Sequence, residues 1–346
     1  MHAQIETLNS MLLQAIDKSY PVGIAQGQMG ISIYFYYLAR IERNDEYRTI
    51  AERLLDNTLS RLSLDSSLSV EEGLAGIALG VGHLIKAGFI EGNINEFAED
   101  IDHAVFKHLA FQRSPANLGK EELLHWLFYL YVRLTEQEEE GSRYLSRKLI
   151  IKTIHVFMAG LPDDFFDEPL SFSAYHYHLP LFAYLCALLL EQNFYNARLY
   201  KLWEEWEPKI LSHFPRLHAN RLYLLCGLLP LLPYMKNPCW KEHALLLQKH
   251  IDLRVIFDQE MKNKHIFVSN GLSAIYLLLY YLETHYPAYK ISYSCRDFYE
   301  TIRASDAWES LVKHDYFFNI HSGLLNGFPG VRLVLSHMLK NNLYEN

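Results

Sequence analysis

Three times along the 346-residue chain a Gly-x-x-Gly pair stands directly before an apolar stretch: Gly27-Gln-Met-Gly30, Gly73-Leu-Ala-Gly76 and Gly327-Phe-Pro-Gly330. A unit recurring in one register is the signature of a repeat architecture and limits the chain to folds built from stacked copies. The register extends to weaker copies at Gly271/Ala274 and Gly227/Pro230, where one glycine survives in each. Two more positions have lost both: Glu122/His125, before WLFYLYVRL, and His176/Leu179, before PLFAYLCALLL. The seven first positions, 27, 73, 122, 176, 227, 271 and 327, are 46, 49, 54, 51, 44 and 56 residues apart. Each interval has room for a helical hairpin.

The stretches between the motifs have the helical period. Ile5, Leu8, Leu12 and Ile16 form one stripe, and Tyr47, Ile50, Leu54 and Leu55 another, with charged residues opposite. Segments after the motifs, such as GISIYFYYL from Gly30 and GLSAIYLLLYYL from Gly271, are apolar on most of their circumference and need cover on every side. Strand signals are scarce, because β-branched residues rarely alternate with polar ones. The pattern predicts an all-α chain: a single domain over 1–346, an α/α toroid with seven amphipathic outer helices around seven apolar inner ones. Outer helices are expected near 3–18, 46–62, 96–110, 143–159, 194–213, 238–256 and 297–313. The glycines let inner helices crowd where they start, and the unpaired N–H groups there face one mouth.

Composition narrows the partners. Half the residues are apolar, enough for a large core, and a net charge of -8 without a basic block is the wrong sign for nucleic acid. The four cysteines, Cys186, Cys226, Cys239 and Cys295, are scattered and form no CxxC pair, which suits a reducing cytoplasm. The N-terminus reads as a helix rather than a secretion signal. The longest apolar runs, Leu179 to Leu190 and Leu222 to Leu232, fall short of the roughly 18 residues of a membrane span.

Gly-x-x-Gly before each of seven inner helices resembles the lanthionine synthetase C-like (LanC-like) cyclases. The likeness is strongest in Gly23 to Arg40, Glu71 to Asp102 and Gly323 to Leu339, and it looks most like the single-domain bacterial members. The resemblance implies an α/α toroid and a zinc-dependent enzyme that joins a peptide cysteine to a dehydrated serine or threonine, the metal turning the thiol into a thiolate. The family's zinc ligands fall here on Leu225, Ser269 and Asn270, none a usual zinc donor. Its repeat-four histidine falls on Tyr175, within Ala174-Tyr-His-Tyr-His-Leu-Pro180, and its aspartate near Asn117-Leu118. Every functional position has changed, while the glycines Gly27, Gly30, Gly73, Gly76, Gly327 and Gly330 remain, with Gly227 and Gly271 as single survivors.

Cys226, one residue from a lost ligand position, reads as a buried small hydrophobe or as a shifted ligand. His176 and His178 read as packed histidines, a proton relay or a pair of metal ligands. The residues just before each register position, Gln26, Glu72, Glu121, Tyr175, Cys226, Asn270 and Asn326, are expected to ring the mouth as helix caps or cavity lining. Asp163, Asp164, Asp167 and Glu168 form an acidic cluster that reads as a solvated loop or a site for a cation or basic peptide.

The leading expectation is a LanC-like protein of ribosomal peptide maturation without zinc or other cofactor, binding a peptide or a modifying enzyme such as a dehydratase. An active cyclase of unusual ligation is the first alternative. The second is an α/α-toroid carbohydrate-active enzyme using Glu72 and Glu121 as its carboxylate pair.

Overall fold

The computed structural model describes residues 2–16, 20–63, 66–111, 119–161, 163–262 and 264–342. Among them are seventeen α-helices, numbered in chain order, and no strand. The chain gathers into two compact units. Unit one comprises Met1–Arg113, Ile266–Val268 and Cys295–Asn346; unit two comprises Ser114–His265 and Ser269–Ser294.

The three complete Gly-x-x-Gly copies all lie in unit one, where they start its apolar row: α2 (Gln28–Glu42), α4 (Leu74–Lys86) and α17 (Phe328–Asn342), with α2 packed against both others. Met29, Ile31, Tyr34, Phe35, Tyr36 and Leu38 bury every side of α2. At roughly 1.5–3 kcal/mol for each large apolar side chain taken from water, that helix forms only with neighbours all round it. Amphipathic helices supply the cover. Helix α3 (Asp45–Ser60) lays Ala51, Leu54, Leu55 and Thr58 on α2, and α5 (Ile94–Phe111) lays Ala98, Ile101, Val105 and Leu109 on α4. Helix α14 (Cys295–Ala304) covers α17, and α1 (His2–Ala15) packs on α15 (Asp306–Lys313), which in turn meets α16 (Asp315–Ile320). Where α2 meets α3, the Ser32 hydroxyl donates to the Ala51 carbonyl at 2.8 Å, so a buried polar group costs nothing.

The glycines press against their own preceding loop. A Cβ at Gly30, Gly76 or Gly330 would stand 2.0–2.1 Å from the carbonyl oxygen six residues earlier, at Ile24, Val70 and Leu324. The N–H after the first glycine donates to the carbonyl seven residues back: Gln28 to Pro21 (2.8 Å), Leu74 to Ser67 (2.9 Å) and Phe328 to His321 (2.8 Å). The motif thus folds a seven-residue loop under the helix start and pairs an N–H that the helix itself leaves free. Leu272 to His265 (3.0 Å) repeats the bond in unit two, although Ala274 has replaced the second glycine.

Unit two has its own apolar row, α6 (Lys120–Glu136), α8 (His178–Glu191), α10 (His218–Leu228) and α13 (Leu272–His285), each packed on the next. Helices α7 (Glu140–Ala159), α9 (Asn196–Ser212) and α11 (Cys239–Lys249) cover α6, α8 and α10. An aromatic cluster ties the layers together: the rings of Phe157 and Phe182 stack at 4.6 Å, and Phe165 and Trp206 pack at 5.5 Å.

Three expectations are corrected. Gly227 does not start an inner helix: α10 begins at His218 and stops one residue past Gly227, because Pro230 and Pro233 turn the chain into a 3-10 segment, Leu229–Tyr234. Gly227 serves a crossing instead, its absent Cβ making way for the Pro180 carbonyl of α8, which would lie 2.3 Å off. The outer helix expected over 238–256 ends at Lys249. Asp252 then caps the short α12 (Leu253–Val255), accepting from the Arg254 N–H at 2.9 Å, and a π-turn follows over Ile256–Met261. The helix expected over 297–313 is two, since the Ser305 hydroxyl caps α15 by accepting from the Trp308 N–H at 3.1 Å.

Candidate functional site

In unit one the loops before α2, α4 and α17 are laced together by backbone hydrogen bonds. The Leu324 N–H donates to Ala25 O (2.9 Å), and the N–H groups of Ile24 and Ala25 both donate to Glu71 O (2.9 and 3.0 Å). This brings Gln26, Glu72 and Asn326 of the expected ring to one end of the row. Burial raises the pKa of Glu71; burial and the Glu71 charge raise that of Glu72, against a hydrogen bond from the Gln26 backbone N–H. His321 lies between Phe267 and Phe317, each ring centroid 4.4 Å away, and its Nδ1–H donates to Asn326 O at 2.8 Å. The Tyr20 hydroxyl pairs with Ser322 Oγ at 2.6 Å. Glu71, His321 and Tyr20 carry no sequence signal of their own; only the folded loops gather them.

The heads of α6, α8 and α13 make the polar end of unit two. Glu121 and His125, four residues apart on α6, hold a carboxylate oxygen and an imidazole nitrogen within 4.8 Å. The His125 ring meets Tyr175 edge-on at 6.3 Å. Ser173 organises the next loop, its Oγ accepting from the N–H groups of Tyr175 and His176 (both 3.3 Å), and the Ala174 N–H ties that loop to Ser269 O at 2.9 Å. His176 points to solvent, whereas His178, the first residue of α8, is half-buried. Burial, with Lys120, His176 and His125 adding positive charge, pulls the His178 pKa down to about 4 against the opposing Asp164. Burial lowers His125 as well. Both imidazoles are therefore neutral at pH 7, each with one N–H and one lone pair to offer.

At these heads His178 Nε2 and Asn270 Oδ1, like Ser273 Oγ in the first turn of α13, are buried without a hydrogen-bond partner. An unmet group of this kind costs about 1–3 kcal/mol, which an incoming donor or acceptor would return. Of these residues the sequence singles out Glu121, Tyr175, His176 and His178 at the mouth and Asp164 in the acidic cluster; it gives Lys120 and His125 no site role, although the Glu121-x-x-x-His125 spacing on one helical turn is a signal for the second.

Cys226 is set apart from this group. It lies in the last turn of α10 with 4% of its surface exposed, and its Sγ–H donates to Leu278 O of α13 at 3.7 Å. Burial pushes its thiol pKa up, so it stays protonated and a poor metal ligand. Leu225 beside it is fully buried, and Ser269 nearly so. Asn117 and Leu118, near the expected aspartate, lie outside the described residues.

The acidic segment after α7 is solvated only in part: Asp164 and Asp167 are exposed, whereas the Glu168 side chain is not. Glu168, 7% exposed in its side chain, accepts from the backbone N–H groups of Arg216 and of Leu217 (3.2 Å) and from Asn220 Nδ2 (2.9 Å) at the start of α10. Burial pushes its pKa up, but these hydrogen bonds outweigh it and hold the carboxylate below its ordinary range. Glu260 completes the cap, accepting from the His218 and Ala219 N–H groups at 2.6 and 2.9 Å. Asp164 faces Lys120 at 3.6 Å.

No protein-family model and no curated protein matches the chain. No helix among the described residues is long and apolar enough to cross a membrane.

Proposed function

We propose that this protein is a LanC-like member of a ribosomal peptide maturation system, an α/α toroid in the cytoplasm, and that it binds a peptide or its modifying enzyme without zinc-dependent cyclisation. The pair of unpartnered buried atoms, His178 Nε2 and Asn270 Oδ1, carries the binding part of the reading. A peptide backbone offers both the donor and the acceptor that such atoms need, repeated along an extended chain. The repeated loop bond before α2, α4, α13 and α17 supports the family part, since it gives the glycine register a structural meaning. The protonated, buried Cys226 and the side chains of Leu225, Ser269 and Asn270 support the loss of thiol activation, because a catalytic zinc needs three protein donors.

A dehydrated, cysteine-bearing peptide tests the reading by titration calorimetry and by counting thiols that remain open to alkylation. Binding with every thiol still alkylatable, weakened about tenfold in His178→Ala, is the expected result. Thiol consumption that depends on added zinc would restore a cyclase, and no binding to any such peptide would remove the peptide role.

A further inference from the structure

A groove of about 660 Å³ lies in unit one between the outer face of α3 and the turn that follows α4. Three carboxylates line it, Glu52, Asp56 and Glu91, and one cation, Arg48, which is already paired with Glu52 at 3.0 Å. Leu55, Phe89 and Ile90 supply an apolar strip beside them. The wall is braced. Gly88, at φ +68°, reverses the chain, Phe89 turns back to pack on Tyr36 with ring centroids 5.4 Å apart, and the Arg40 guanidinium covers Phe89 at 3.6 Å while donating to Ala87 O at 2.7 Å.

Tyr36 forms part of the lining, yet it is only 2% exposed and its hydroxyl has no hydrogen-bond partner. Buried tyrosine hydroxyls ordinarily find one, because a buried polar group left unmet is destabilising. The charges that act on this hydroxyl are those of the groove, with Glu52 and Asp56 opposing its ionisation and Arg48 favouring it. Glu52 and Arg48 lie on the surface, half or more exposed, so a ligand that draws Glu52 away reaches the hydroxyl beneath.

We propose that this groove binds an alkyl ammonium group, its methylenes along Leu55, Phe89 and Ile90 and its NH₃⁺ among Glu52, Asp56, Glu91 and the Tyr36 oxygen. An ammonium offers three donors, which the carboxylates and the phenol oxygen accept. An anion is repelled, and a wholly apolar ligand leaves the carboxylates unpaired. Free polyamines and the lysine side chains of a peptide share this chemistry.

Spermidine and an N-acetylated lysine-containing peptide, titrated separately into the full chain at low salt, test it. Binding of either supports the groove, and the one that binds tells a free amine from a peptide lysine. Asp56→Asn and Glu91→Gln each weaken binding about five- to tenfold, as expected for a lost charge-assisted bond. Tyr36→Phe weakens it too, with no loss of thermal stability, since the hydroxyl it removes has no partner in the free protein. Glu300→Gln, an equal charge change elsewhere on unit one, leaves it unaltered. Absence of binding at millimolar amine, equal losses in Glu300→Gln and Asp56→Asn, or an unchanged affinity in Tyr36→Phe would overturn the proposal.

Discussion

At the scale of single residues, the close approach of backbone to backbone decides which positions tolerate change. A methyl group at Gly76 would meet the Val70 carbonyl oxygen at 2.0 Å, and that carbonyl belongs to a loop held on both sides. Overpacking costs about 1–3 kcal/mol where side chains can yield; here only backbone can move, so Gly76→Ala is expected at or above that range. Gly119, with nothing within 4 Å of its Cβ direction, is the neutral comparator, whereas the open position Gly88 is not, because its positive φ strains alanine. Urea midpoints of Gly76→Ala and Gly119→Ala check this, and equal values would deny the motif a packing role. Thiol reactivity follows burial in the same way. Cys239 is exposed, Cys295 intermediate, and Cys186 and Cys226 buried with raised pKa values. Timed labelling with a disulfide reagent should therefore modify Cys239 first and spare Cys186 and Cys226 until denaturant is added; early loss of Cys226 would reopen its case as a metal ligand.

Among the elements, α10 depends most on distant residues. Its start has no capping side chain of its own, and the carboxylates of Glu168 and Glu260 arrive from segments 50 residues upstream and 42 downstream, by the separations of Glu168 from His218 and of His218 from Glu260. Each carboxylate gains from the helix dipole and from two or more N–H donors. Glu168→Gln keeps the shape and removes the charge, so it should cost about 1–2 kcal/mol and speed amide exchange in the first turn of α10. Since the folded pKa of Glu168 is depressed, its stabilisation is present above the unfolded value near 4.5 and is lost as pH falls through the folded one. An exchange rate unchanged in Glu168→Gln would mean that packing alone sets the helix start.

For the whole molecule, buried imidazoles and buried carboxyls pull the pH profile in opposite directions. His125, His178, His213 and His243 have lowered pKa values, first of all through burial, with His178 and His243 near 4. The unfolded chain takes up their protons below about 6.5, so their stabilisation is whole above that pH and is lost toward 4. Glu71 and Glu72, raised by burial, do the reverse: their contribution is whole below about 4.5 and is lost as pH rises through their folded pKa. His83, His218 and His337 are lowered in the same way, so the lowered imidazoles outnumber the two raised carboxyls and acidification from pH 7 to 4.5 brings a net loss of stability. Denaturant midpoints across that range should fall, less steeply in His178→Gln and more steeply in Glu72→Gln; a slope that neither variant alters would show that these groups titrate alike in both states.

Period and glycine register alone determined that the chain is helical, where all seven amphipathic helices start to within about three residues, and that Gly-x-x-Gly marks the starts of α2, α4 and α17. Those signals are local: a buried stripe recurs every three or four residues, and a glycine six residues from the carbonyl it touches is read from neighbours in the chain. The start of α10, the role of Gly227 and the companions of His178 were decided only by tertiary structure. Each depends on groups far away in sequence, a carboxylate from Glu168 or Glu260, the Pro180 carbonyl of α8, the Lys120 and His125 side chains of α6, and no periodicity encodes which distant residue will arrive. Cys226 shows the same division. Its place beside Leu225 made it a candidate ligand, and only the packing of α10 on α13, which buries the thiol and keeps it protonated, removed it.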